Sequence, residues 1–427
     1  MSNIQINLNN QVKKMKPMHG GGQPPVTSNA SDQYFHYLTE AGIPYSRLHD
    51  VGGAFGQGKY VDIPNIFRDF DADVNDPASY DFTFTDLLLE QLVKAGVEPY
   101  FRLGVTIENA AHVKSYWLDP PKDYQKWAEI CEHIIRHYTE GWANGYHHKI
   151  TYWEIWNEPE NTGSTSQMWA GTAEEFYRLY EVTAKHLKAK FPHLKIGGYG
   201  ATGIYGCHLP HEERNPADQC LHVFFQGFMK YVKEYEVPLD FFSWHNYVEA
   251  SYIITCDNWL HEEMQRLGFA DVELHLNEWD PYAPELGTAH HSAEIAAVMI
   301  GMQNGHEDVC CIYDMRTNTA PYCPLFNPIT HKPIHGYYSM VAFNALYQLG
   351  TQAESLCDTK DLHVLAATNG KSHAMMISNL TGKAQELCIE GVDLSCARYH
   401  VIDQERLLSW SPAVKEIENN QVLLIEW

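Results

Sequence analysis

Residues 149–159, Lys149-Ile150-Thr151-Tyr152-Trp153-Glu154-Ile155-Trp156-Asn157-Glu158-Pro159, decide how this chain folds. The apolar run over 149–157 reads as a strand whose polar end presents an amide and a carboxyl side by side, Asn157 and Glu158. A second such end comes 120 residues later, in Leu274-His275-Leu276-Asn277-Glu278-Trp279. Working outward from these two, strands are expected at 15–19, 44–49, 98–104, 149–157, 194–200, 239–245, 272–278 and 309–314, each followed by polar or Gly-rich residues.

Helices fit between the strands. Residues 31–41 and 85–95 end at Gly42 and Gly96, which suit helix C-caps. Residues 124–138 set Trp127, Ile130, Ile134 and Tyr138 on one face. Thr172 with Glu175 forms a capping box that opens a helix burying Phe176, Leu179, Thr183 and Leu187. Further helices are expected at 221–235, 257–267, 292–304 and 336–349. Eight strands alternating with helices imply a parallel sheet closed into a (β/α)8 TIM barrel over 15–350. An open doubly wound sheet competes, but no G-x-G-x-x-G follows the first strand. After Gly350 the pattern changes to short β-rich runs at 362–367, 373–378, 385–390, 397–402 and 422–427, separated by turns such as Asn369-Gly370. These predict a small accessory antiparallel β-sandwich of residues 351–427, joined by the alternating N-terminal residues 1–14.

Composition narrows the function classes. The chain has 427 residues, 44% hydrophobic and 13% aromatic, enough for a large core. A formal net charge of −24 argues against a nucleic-acid partner, which needs clustered Lys and Arg. No apolar run approaches the ~18 residues of a membrane span, and residues 1–10 lack a signal-peptide core. None of the ten cysteines forms a CxxC motif, and the pair Cys310-Cys311 sits in an apolar strand. Together these point to a reducing, cytoplasmic setting. The 24 histidines invite a metal reading, but no H-E-x-x-H occurs and the clustered ones lie in polar segments, so neither metal nor cofactor is expected. Homo-oligomer formation is left open.

The chemistry follows from barrel geometry, in which residues at strand C-termini face the active site. Glu158 ends strand four and Glu278 ends strand seven, so the two carboxyls meet across the mouth. One carboxyl that gives a proton and one that attacks carbon are what glycosidic bond cleavage needs, ~5–5.5 Å apart when configuration is retained. Glu158, among Trp153, Trp156 and Pro159 and beside the charge of Glu278, is the candidate acid; Glu278 is the candidate nucleophile, held ionised by Arg47 or Tyr247. Asn157 is placed to bind a sugar hydroxyl or to cap its own chain. His19, Arg47, His49, His245 and Tyr247 end strands one, two and six and are candidate substrate contacts, with Arg47 and His245 also suited to bracing neighbours. Trp117, Trp169 and Trp279 are candidate stacking platforms or core residues.

The strings W-E-I-W-N-E-P-E at 153–160, N-E-W at 277–279, R-L-H at 47–49 and W-H-N-Y at 244–247 resemble the clan A glycoside hydrolases, and within them glycoside hydrolase family 39. The tail segment Leu325-Phe326-Asn327-Pro328, with Lys332-Pro333 and Tyr337-Tyr338, is similar too. The resemblance spans roughly the whole chain. It implies a retaining exo-acting enzyme, β-xylosidase-like, with Glu158 as acid/base and Glu278 as nucleophile, acting on an oligosaccharide or glycoside. Two places depart from the family pattern. Strand eight reads Ile312-Tyr313-Asp314 where the clan often has a Trp under the sugar, so Tyr313 replaces that platform or Asp314 binds hydroxyls. Strand three carries Arg102 where xylosidases of the family tend to have an acid. Both departures bear on which sugar is bound, with arabinosidase, galactosidase, glucosidase, iduronidase and endo-acting alternatives left open, and a non-catalytic carbohydrate-binding barrel as the remote one.

Overall fold

The computed structural model describes residues 2–26, 34–49, 51, 61–105, 118–161, 167–281, 287–317 and 322–427. After an N-terminal strand, β1 (Ser2–Lys14), eight parallel strands close into a barrel in chain order. They are β2 (Gly20–Gly22), β3 (Tyr45–Leu48), β4 (Glu98–Leu103), β5 (Tyr152–Ile155), β6 (Lys195–Ala201), β7 (Phe241–Asn246), β8 (Glu273–Trp279) and β9 (Val309–Ile312). The outer ring contains α1 (His36–Glu40), α2 (Ile63–Ile66), α3 (Thr83–Lys94), α4 (Tyr124–Glu140), α5 (Ala173–Lys190), α6 (Pro216–Glu234), α7 (Ala250–Leu267), α8 (Ala289–Asn304) and α9 (His335–Tyr347). Thr172 and Glu175 make the reciprocal capping box that opens α5. Residues 31–33 of the expected first helix lie outside the described residues.

The first strand is corrected. Residues 15–19 are not a barrel strand; β2 is the glycine run that follows, with Gly21 opposite Ser46 on one side and Ile312 on the other. A Cβ on Gly20 would come 2.6 Å from the Cys310 carbonyl oxygen, so this stave runs too close to its neighbour to carry side chains. Glycine has no apolar signature, which is why Met15 and Met18, buried beside it, read as the strand instead.

Inside the barrel, side chains stack in layers. Tyr100, Tyr152, Phe241 and His275 form an aromatic layer near the strand N-termini, with the Phe241 and His275 rings stacked at 4.5 Å. Above it lies a polar layer containing Arg47, Glu154, Ser243 and Asn277, all fully buried.

The remaining strands are β10 (Thr351–Cys357), β11 (Leu362–Thr368), β12 (His373–Asn379), β13 (Gln385–Glu390), β14 (Arg398–Ile402), β15 (Ser409–Ser411), β16 (Glu416–Ile417) and β17 (Val422–Glu426). With β1 they form a nine-stranded sheet in the order β15-β14-β17-β12-β11-β10-β1-β13-β16, antiparallel except for the β1–β13 pair. One face, including Leu365, Ala367, Met376 and Leu424, joins the barrel core, while the other encloses a second core of Ile4, Ile6, Val364, Ile377, Val401, Ile417 and Ile425. Helices α8 and α9 are wedged between barrel and sheet, and the Ser378 hydroxyl donates to the Ala293 carbonyl at 2.7 Å across that contact. Among the described residues, no helix is long and apolar enough to cross a membrane.

Candidate active site

Simple strand alternation would not bring both Asn157 and Glu158 to the barrel mouth. The backbone does so by turning left-handed at Trp156 (φ +74°) and again at Glu158 (φ +47°). Each such residue costs roughly 1–2 kcal/mol, so the surroundings must hold it. The Trp156 ring is driven outward into the core, edge-on to Trp169 at 5.2 Å, and its indole N–H donates to the Met168 carbonyl at 2.8 Å. Glu158 N–H donates to the Gly200 carbonyl at 2.8 Å. On β8 a bulge serves the same end. Trp244 pairs with Leu276, but His245 pairs with Glu278, so Asn277 is an extra residue and both 277 and 278 serve the site.

The side chains converge on Arg47. Its Nε donates to Glu154 Oε2 at 2.8 Å, one terminal nitrogen to Glu278 Oε2 at 2.8 Å and the other to Asn157 Oδ1 at 2.6 Å. Glu154 also accepts from Ser243 Oγ at 2.6 Å and Asn277 Nδ2 at 2.7 Å. Burial alone would favour protonated Glu154, but the Arg47 charge and these donors outweigh it and hold the carboxyl below its ordinary range. Burial likewise opposes the Arg47 charge, and Glu154 with Glu278 more than restores it.

Glu278 Oε1 accepts from the Tyr247 hydroxyl at 2.5 Å. Burial, then the Glu278 charge, push the Tyr247 hydroxyl well above its ordinary value, so it stays a donor. His245 Nδ1 lies 2.8 Å from Glu158 Oε1 and 3.8 Å from Glu278 Oε1, bridging the carboxyls. Oxygens of Glu158 and Glu278 come within 4.8 Å of each other. Glu158, His245 and Glu278 are also the one set of three metal-capable groups among the described residues. A metal ion there would compete with Arg47 and Tyr247 for the Glu278 oxygens.

The structure therefore brings together Arg47, Asn157, Glu158, His245, Tyr247 and Glu278. Tyr313 stands beside them, its ring 6.3 Å from that of Tyr247 and its hydroxyl accepting from Gln23 Nε2 at 2.7 Å. His49 is buried and receives Arg102 Nε at 3.1 Å; burial, then the Arg102 and Arg47 charges, keep its ring neutral.

Three expected positions are corrected. His19 precedes β2 instead of ending it, and its ring faces the Gly42 carbonyl and Asn344 at the opposite end of the barrel from the carboxyls. The Trp279 indole is fully buried in the main core, so it offers no face to a sugar. The Asp314 carboxylate is taken up by Arg316, with Nε at 2.9 Å and Nη2 at 2.6 Å, and accepts from Cys323 Sγ, so it binds protein rather than hydroxyls. Trp169 is also core, and Trp117 lies outside the described residues. Glu154, Ser243 and Gln23 are site residues that sequence reasoning missed. A lone Glu inside an apolar strand was the available signal for Glu154; Ser243 and Gln23 carried none.

With this geometry in place, comparison with known proteins is informative. The model of glycosyl hydrolases family 39 matches residues 3–385. A β-xylosidase of Geobacillus stearothermophilus is 24% identical over 276 residues, covering 57% of this chain and 50% of that protein. A β-xylosidase of Caldicellulosiruptor saccharolyticus is 30% identical over 129 residues, 28% of this chain and 25% of that protein. The chain thus spans half or less of the curated relatives it matches. Among solved structures, a glucosidase from Croceicoccus marinus superposes with a TM-score of 0.80 at 20% identity, covering 100% of this chain and 98% of that one. A family 39 β-xylosidase from Caulobacter crescentus gives 0.69 at 18% identity, covering 99% of both chains. At these identities the superpositions show the fold.

Proposed function

The chain belongs to glycosyl hydrolase family 39, and from that premise we propose that it is a retaining exo-glycosidase, β-xylosidase-like, acting on short oligosaccharides or glycosides. The observation that carries the mechanism is the approach of the Glu158 and Glu278 oxygens to within 4.8 Å. An inverting pair stands ~6.5–9.5 Å apart to admit water, whereas a retaining pair stands ~5–5.5 Å apart.

Glu278 attacks the anomeric carbon while Glu158 passes its proton to the departing oxygen, which yields a glycosyl-enzyme and a free leaving group. Arg47 donates to one oxygen of Glu278, and Tyr247 aims the other. Bond formation removes the Glu278 charge; Glu158, now a carboxylate, then takes a proton from the incoming water, whose oxygen bonds to the anomeric carbon as the bond to Glu278 breaks and frees its carboxylate. With Asn157 Oδ1 bound to Arg47, the amide nitrogen is left to serve the hydroxyl beside the reacting carbon. Tyr247, Tyr313 and Tyr322, whose ring centroids are 5.3–6.3 Å apart, wall one side of the site and suit a confined sugar position.

The test is a panel of nitrophenyl glycosides, β-xyloside first, against wild type, Glu278→Ala and Glu158→Ala. Glu278→Ala is expected to lose roughly four orders of magnitude or more in kcat. Glu158→Ala is expected to keep glycosylation by good leaving groups and to recover turnover with azide. Substantial turnover by Glu278→Ala would sink the nucleophile assignment, and a wild type that prefers another glycone would replace the xylosidase reading. Xylobiose and xylan digests separate exo from endo action by whether xylose is the first product.

A further inference from the structure

We propose that Glu160 is a positioning residue that, as a neutral carboxyl, clamps the Glu158 turn to the end of β6. This rests on the reading of Glu158 as acid/base. Two hydrogen bonds cross between turn and strand end: Glu158 N–H to the Gly200 carbonyl at 2.8 Å, and Thr202 N–H to Glu160 Oε1 at 2.8 Å. They grip the turn at both ends of Glu158-Pro159-Glu160, where the left-handed Glu158 backbone needs support. Without the second bond, the far side of the turn loses its backbone tie to the barrel, and the acid's oxygen is left to find His245 unaided.

The surroundings require Glu160 to be uncharged. It is 8% exposed, and its Oε2 has no hydrogen-bond donor among the described residues. The titratable groups that face it are Glu158 on its own turn, Tyr177 on α5 and Tyr199 on β6, and none of these is a cation. Burial, and after it the Glu158 charge, raise its proton affinity to about 8. An ionised Glu160 would be a buried negative charge with no guanidinium among the described residues to share, unlike Glu154 and Glu278 around Arg47.

Glu160→Ala and Glu160→Gln separate the clamp from bulk stability. Kinetics are measured on a dinitrophenyl xyloside, whose departure needs no proton, and on an alkyl xyloside, whose departure does. Glu160→Ala is expected to lose at least tenfold more kcat on the alkyl substrate than on the dinitrophenyl one. Glu160→Gln, whose amide oxygen can accept from Thr202 N–H, is expected to restore most of that loss. It should also shed the part of the fall in kcat/KM that wild type shows through pH 8. Equal losses on both substrates, a Gln variant no better than Ala, or an unchanged pH profile in Glu160→Gln would each overturn the proposal. If Glu160→Ala does not fold, the Gln pH profile decides alone. A Glu158→Ala variant that shows no leaving-group dependence overturns the underlying acid/base reading; leaving-group dependence there with none in Glu160→Ala overturns the clamp only.

Discussion

At the barrel mouth Glu154 and Glu278 share the guanidinium of Arg47, whereas outside the barrel wall Asp257 of α7 and Glu307, ahead of β9, face each other without such a partner. Both pairs are buried. Glu307 Oε1 accepts from the Trp244 indole at 2.9 Å and Asp257 Oδ2 from the His306 N–H at 3.2 Å. Among the described residues their other oxygens have no partner but each other, a contact in which protonated Glu307 donates to Asp257. Lys16, the nearest cation on the N-terminal arm, donates to the backbone carbonyls of His306 and Glu307. Burial therefore raises Asp257 to about 6 and Glu307 well above its ordinary value, while Glu154 is held low. Equal burial has opposite outcomes, and the largest difference is one guanidinium, helped by the Ser243 and Asn277 donors. Glu154 and Glu278 sit where a cation is built in, whereas burial without one holds the Glu307 proton well above the ordinary carboxylate range.

Removing that cation should make the mouth behave like the wall. Arg47→Met is expected to cost roughly 3–5 kcal/mol at pH 7, because it strands buried carboxylates. Glu154 lies below its ordinary range in wild type, so its stabilising share is present at neutral pH and lost as pH falls. The gap between variant and wild type in urea unfolding should consequently hold from pH 7 to pH 5 and narrow only as pH falls below about 4.5. A gap independent of pH would break the comparison.

The wall pair carries the reverse sign. Asp257 binds its proton more tightly folded than unfolded, so its contribution is full at low pH and lost as pH rises from about 4 through about 6. A rise from 3.8 to about 6 corresponds to roughly 3 kcal/mol. Glu307→Gln keeps an acceptor for Trp244 and cannot ionise, and it is expected to raise stability at pH 8 more than at pH 4. Melting temperatures at the two pH values check this; an equal shift at both would refute the coupled pair.

The smallest expected effect isolates a donor from a charge. Tyr247→Phe removes one hydrogen bond to the Glu278 carboxylate, a contact of roughly 1.5–2 kcal/mol. That translates to a ten- to thirtyfold fall in kcat/KM on an aryl xyloside. Unlike Arg47→Met, the variant should unfold with the pH dependence of wild type. A loss as large as that of Arg47→Met would mean that orientation, not charge, governs Glu278.

Much of this architecture was legible along the chain. Apolar strand runs alternating with helical patterns announced the barrel, because parallel strands covered by helices are buried on both faces. The endings at 157–158 and 277–278 announced the carboxyl pair because barrel strands deliver their C-termini to one mouth. The sequence by itself determined the fold class, the two carboxyls and their neighbours at 47, 245 and 247. Only the tertiary structure decided that glycines make the first stave, since tight interstrand approach leaves no apolar trace. It also removed His19, Trp279 and Asp314 from the sugar's side, because pairing partners and burial are set by residues distant in the chain. Above all it decided which carboxyls are anions. Glu154, Glu160 and Glu307 are the same residue type, and proton affinity is a property of the groups that folding places around them.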